Sequence, residues 1–326
     1  MLQYVLLFAT LSFTFSEKEP YDLEAYNSAL QLAESYLIDE QFCNAAEVYQ
    51  TMSSDFDLWG DDRLNALLCA LECGDEKRID YFVQSLLDRG ATEDFFKVVL
   101  SEYNYFKKDN RVSKFNLDSR ELRSNDLVSS FIKINFADFQ EKGRTLKEVN
   151  AHNYTLLMEL IENGNFPTEE YFSFSTYRSE EGINTFEFNH ILQRLVEEKP
   201  SEFGKLLPNW YRDGFLSKRL FVYLMAWAEP EEKYRMNCIN GTQYFLRWNE
   251  QIYTCAPKHL IVINQNRARL HLEPLHQYLK KSLYREKTDV PFALGENITT
   301  TQTPIDPKYD IGFMDLIQEG ELAEIR

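Results

Sequence analysis

Basic residues are scarce in this chain: 35 lysines and arginines stand against 52 acids, a formal charge of −17. Nucleic-acid binding rests on a cationic face that neutralises phosphates, so that deficit excludes non-specific binding of DNA or RNA. Glycine is equally thin, 12 in 326 residues, which excludes a collagen-like chain. Long apolar runs are missing too. The longest near the amino terminus, Tyr4–Phe15, holds 12 uncharged residues. As a helix it would rise about 18 Å, short of the ~30 Å hydrocarbon core, so no transmembrane span is expected. There is no Gly-x-Ser-x-Gly elbow, phosphate loop or dinucleotide fingerprint, and no cofactor is expected. His259, His271 and His276 are spaced 12 and 5 apart, with Pro274 between the last two, which does not gather them on one helical face, so no metal is expected either.

What is present is an ordinary globular composition, 44% hydrophobic and 27% charged. The first apolar run ends in Thr14-Phe15-Ser16, small residues flanking a large one, followed by Glu17-Lys18-Glu19-Pro20. That order fits a secretory signal over 1–16 with a mature start near Glu17, although Met1-Leu2-Gln3 lacks a basic residue. The expected location is therefore periplasmic or secreted; the alternative, a first buried helix, would make the protein cytoplasmic. Five cysteines leave at least one unpaired. Cys43, Cys69 and Cys73 fall within apolar helical patterns and read as small core residues. Cys238 and Cys255 flank a β-hairpin and are the one pair close enough in pattern to consider, but bridging them requires the chain before Gly241 to fold back.

From Tyr21 to Gly90 the apolar period is helical, and it repeats. Thr92–Phe106 suggests a third pair that does not keep the pattern, so helical hairpins are expected over 21–106. Leu30, Ala33, Tyr36, Leu37, Ala45, Val48, Tyr49 and Met52 are matched 34 residues later by Leu64, Leu67, Ala70, Leu71, Ile79, Phe82, Val83 and Leu86. That makes two helix-turn-helix units, with breaks at Ile38–Gln41 and Gly74-Asp75. The period resembles tetratricopeptide repeats, though the first turn lacks the expected glycine; an irregular helical bundle is the other reading. A polar linker follows over 107–126. Residues 127–285 then read as a helical domain, with helices expected at Leu127–Glu141, Asn150–Asn163, Phe186–Glu198, Glu202–Leu207, Ser217–Ala228, Asn264–Leu272 and Leu275–Tyr284. A single β-hairpin is expected at 242–256, where Thr242–Trp248 and Ile252–Ala256 are aromatic and β-branched. The fold class is thus mainly α: a helical-repeat front half, then an α-helical domain with one hairpin. Residues 286–326 carry three prolines and nine acids against three bases, and read as a flexible acidic tail adding little stability.

Several blocks in the second half fall in a recognisable order. They are Asn150-Ala-His152-Asn153, Gly164-Asn-Phe-Pro167-Thr168, Asn189-His190, Gly214, Asn240-Gly241-Thr242-Gln243, and Asn266-Arg267 through Leu272-Glu-Pro274-Leu275 and Tyr278. Together they resemble a bacterial family of uncharacterised domains over about 149–283. The family has Asp where Asn150 stands and Gln where Asn189 stands, and an Asp-Arg pair near Tyr223 that this chain lacks. The resemblance implies a shared fold and cleft but no activity. Its polar residues His152, Asn153, His190, Thr242 and Gln243 are the candidate ligand-binding set. A Gly-Thr-Gln turn offers a hydroxyl and an amide beside backbone N–H groups, and a neighbouring histidine could act as general base. A buried polar network with each partner satisfied is the competing reading. The expected function is accordingly a non-catalytic binding or scaffold protein with a protein or peptide partner. The alternative is a hydrolase or transferase with its cleft at His190 and Gln243.

Overall fold

The computed structural model describes residues 21–91, 95–96, 145–163, 166, 185–228, 246–248, 251–290, 292–294, 299–300 and 322–325. The expected signal, the linker, the helix at 127–141, and Thr242, Gln243 and Cys238 lie outside them. The described chain is mainly helical. Ten α-helices run α1 Leu23–Ile38, α2 Phe42–Asp55, α3 Gly60–Cys73, α4 Glu76–Leu87, α5 Leu146–Glu162, α6 Thr185–Glu198, α7 Pro200–Arg212, α8 Lys218–Trp227, α9 Leu260–Arg269 and α10 Leu275–Lys287. No described helix is long and apolar enough to cross a membrane.

The first four helices start and stop on local chemistry. Asp22 caps α1 by accepting from the Ala25 N–H at 2.9 Å. Gly74 ends α3 in the left-handed conformation, and Asp75 immediately caps α4 through the Lys77 and Arg78 N–H groups. The corresponding turn after α1 has no glycine, and Glu40 takes the left-handed conformation there at φ 58°. Each helix packs on the next in sequence, burying Leu30, Ala33, Tyr49, Leu67, Phe82 and Val83 in one apolar core. The helices of the second half gather around a second core built on Leu192, Phe203, Leu207, Trp210 and Phe221.

Boundaries differ from the sequence reading where a cap outweighs periodicity. Thr145 and Glu148 form a reciprocal capping box, so α5 begins one turn before Asn150. Pro200 ends α6 but also opens α7 at its first position, where the missing N–H costs nothing, and α7 continues to Arg212. Gly214 closes α7 with φ +75°, and a Cβ there would lie 2.8 Å from the Tyr21 ring, so both backbone and space require glycine. Outside the helices, β1 Leu246–Trp248 pairs antiparallel with β2 Gln251–Cys255, flanked by β3 Thr299–Thr300 and β4 Leu322–Ile325 in the order β3-β1-β2-β4.

Two expectations need correction. Cys43 and Cys73 are not core residues but a disulfide, with Cα atoms 5.0 Å apart, joining the first turn of α2 to the last turn of α3. Antiparallel packing of α2 on α3 brings those ends together, and Cys69, one turn before Cys73, is a buried free thiol. Nor does the tail as a whole hang loose. Phe292 and Leu294 are 1% and 0% exposed and belong to the core of α1–α4. The low apolar content of 286–326 hid this, because composition averages a whole segment whereas burial needs only two well-placed side chains.

Candidate functional site

Charged side chains converge where the first four helices meet the second half. Glu34 comes from α1, Lys218 opens α8, Arg267 lies on α9, Glu273 in the turn after it, and Lys281 on α10. Ser217 sets the position of Lys218 by capping α8 through the Leu220 N–H at 3.2 Å. Lys218 Nζ is 2.9 Å from Glu34 Oε2 and 3.6 Å from Glu273 Oε2. Lys281 bonds Glu34 as well, and reaches Glu273 Oε1 at 2.8 Å. Arg267 is fully buried; its Nε donates to the Glu273 carbonyl, its Nη2 lies 3.9 Å from Glu273 Oε2, and its guanidinium sits 4.8 Å above the Tyr278 ring. Nearby, Arg219 pairs with Asp61 at 3.3 Å. Asn27 donates to Tyr211 at 2.8 Å and to the His271 carbonyl at 3.2 Å.

The electrostatics settle what this cluster can do. Burial pushes the Glu273 carboxyl up, but Lys218, Lys281 and Arg267 outweigh it and hold it well below the usual range. Burial works against the Lys218 ammonium, yet Glu273 and Glu34 hold its proton more tightly than usual. Neither is poised to give or take a proton near neutrality, and a lysine so held is no nucleophile. Asp62 is the exception: burial raises it to about 7, against a hydrogen bond from Tyr26 that favours the anion. The cavity among Glu34, Asp62, Lys218, Arg267, Glu273 and Ala293 is about 30 Å³. That is room for roughly one or two waters. The cluster is a paired junction between two halves of the molecule.

The residues singled out from sequence lie elsewhere. His152 is half-buried and Asn153 fully buried on α5, and His190 is exposed on α6, the helix packed against α5. None of the three lines the charged cavity. Arg267, Glu273 and Tyr278 do, and none of these three is among the candidate ligand-binding residues named from the sequence.

A second feature escaped the sequence reading altogether. Asn65 is fully buried on α3, and its amide grips the backbone of Ala293: Nδ2 donates to the Ala293 carbonyl at 3.2 Å, and Oδ1 accepts from the Ala293 N–H at 2.7 Å. On either side Phe292 and Leu294 enter the apolar core, Phe292 stacking on Phe42 at 6.1 Å and meeting Tyr284 at 6.2 Å. The one available signal was a lone amide inside the apolar run Leu64-Asn65-Ala66-Leu67-Leu68. Compared with known proteins, the chain matches no family model, no curated protein and no solved structure.

Proposed function

We propose that this protein is an exported, non-catalytic binding scaffold whose front helices, stacked as tetratricopeptide-like pairs, hold an extended stretch of polypeptide. The observation that carries the reading is the Asn65 amide on the Ala293 backbone. Such a clamp reads main chain rather than side chain, and the flanking apolar seats of Phe292 and Leu294 supply the affinity that two hydrogen bonds alone would not. Further support comes from the 34-residue spacing, since Leu30 and Leu64, Ala33 and Leu67, and Tyr49 and Val83 are buried at matched positions. The Cys43–Cys73 disulfide suits an oxidising compartment and so favours export. The bacterial family-like second half acts in this reading as the frame that fixes the front helices, through the closed Glu34–Lys218–Glu273–Lys281 cluster.

A displayed library of random octapeptides tests it, panned against the full chain carrying Phe292→Ser and Leu294→Ser. Enriched peptides whose binding disappears on adding Asn65→Ala support the scaffold. Enrichment of nothing, or of peptides indifferent to Asn65, contradicts it.

A further inference from the structure

The segment Phe292–Leu294 reaches its seat directly from the end of α10 at Lys287, through Thr288-Asp289-Val290-Pro291. It contributes no helix or strand of its own, turns in through the Phe292 N–H bonded to the Val290 carbonyl at 2.8 Å, and enters the core of α1–α4. Everything that holds it is of a kind that could hold a separate peptide. An asparagine side chain pairs with both polar groups of one residue, and the residues on each side place one aromatic and one aliphatic side chain in apolar seats. The residue between them is an alanine, partly exposed and lining the small charged cavity, so the central position takes a small side chain. This is the pattern of peptide recognition in which main-chain bonds give affinity and pockets for alternate side chains give specificity.

We propose that residues 292–294 are an intramolecular stand-in for a partner: the seat on α1–α4 is a receptor for an extended segment of the form aromatic, small, aliphatic, occupied in cis and yielded to such a segment in trans. The proposal rests on the scaffold reading above and goes further, naming the ligand class and its competitor. Because the tether from α10 is short, the cis segment competes at an effective concentration on the order of 1 mM. A trans peptide of micromolar intrinsic affinity is then weakened by about a factor of 1000 in the intact chain. The natural partner must therefore present its segment at high local concentration, or several at once.

The test uses the labelled peptide Thr288–Glu296 and fluorescence anisotropy with three full-length proteins. The chain carrying Phe292→Ser and Leu294→Ser should bind it with micromolar affinity. The unaltered chain should bind at least 100-fold more weakly, and Asn65→Ala added to the first variant should abolish binding. Failure of the peptide to bind a strap variant that still melts cooperatively overturns the proposal, leaving 292–294 as part of the core only. Equal binding to the unaltered and strap-variant chains overturns the cis competition but leaves the scaffold reading standing, whereas an empty library selection ends that reading itself. Native-state hydrogen exchange of the Ala293 N–H in the unaltered chain needs no variant. It should open locally, well before global unfolding, and opening only with global unfolding overturns the proposal.

Discussion

The core of the front four helices and the junction behind it are held by opposite means. The first is a continuous apolar cluster from Tyr26 to Phe96, joined by Phe292 and Leu294. The second is five charges from four helices and a turn, four of them buried and Lys218 partly so, closed on one another. Apolar burial stabilises without direction and tolerates exchange of one extended segment for another of similar shape. A buried ion cluster tolerates little, because removing one member leaves its partners charged and desolvated. The difference separates the two: the charges fix where the halves sit, and in the scaffold proposed above the apolar face is the part that receives a ligand.

The comparison is most easily broken at the charges. Lys281→Met leaves Glu34 and Glu273 sharing Lys218 inside the protein. It should cost about 3–5 kcal/mol, and thermal melts should show a fall on the order of 10 °C. Binding of the Thr288–Glu296 peptide by molecules that remain folded should change little. In the front core, Cys43→Ser with Cys73→Ser removes a crosslink between residues 30 apart in sequence. Chain entropy alone puts the loss at about 3–4 kcal/mol, to be read as the difference between oxidised and reduced denaturant melts.

Asp62 sits where the two regions meet and gives the junction a pH dependence. Its folded value of about 7 exceeds the ordinary 3.8, so from about pH 4 upward the unfolded chain releases a proton that the folded chain keeps. Its contribution to stability therefore falls as pH rises toward 7 and is flat above that. Glu273 acts in the other direction: held below the ordinary 4.5, it stabilises above that pH and loses the contribution as pH falls further. Asp62→Asn should remove the first effect only. The unaltered chain should lose more stability than the variant between pH 5 and pH 8, and parallel melting curves would count against the assignment. The smallest effect is expected at the connection between α1 and α2, where Glu40→Gly relieves a left-handed residue at φ 58°. It should stabilise by about 0.5–1 kcal/mol, visible as a rise of a few degrees at most.

How far the sequence carried depended on how local the cause was. Periodicity placed the helical stretch 21–90 and its turns at 38–41 and 74–75, because Leu30 and Ala33 on α1, and Leu64 and Leu67 on α3, each bury on one face of their own helix. The mainly helical character of the second half was legible for the same reason. Contacts between residues far apart were not. Lys281 and Glu34 are 247 positions apart, and Asn65 and Ala293 are 228 apart, so no local pattern announces either. Cys73 misled because its spacing from Cys69 looked like a shared core face, whereas its partner Cys43 lies across the α2–α3 contact. Of the candidate set, His152 and Asn153 fall on one helix and His190 on its neighbour, while Thr242 and Gln243 lie outside the described residues.

The central claim is that the front helices grip polypeptide by its backbone through Asn65. Methylating the Ala293 nitrogen in the Thr288–Glu296 peptide removes the one N–H that Asn65 accepts while leaving both apolar side chains in place. Binding of that peptide to the full chain carrying Phe292→Ser and Leu294→Ser should weaken at least tenfold, about 1.4 kcal/mol or more, relative to the unmethylated peptide. Affinity unchanged by methylation would contradict the claim.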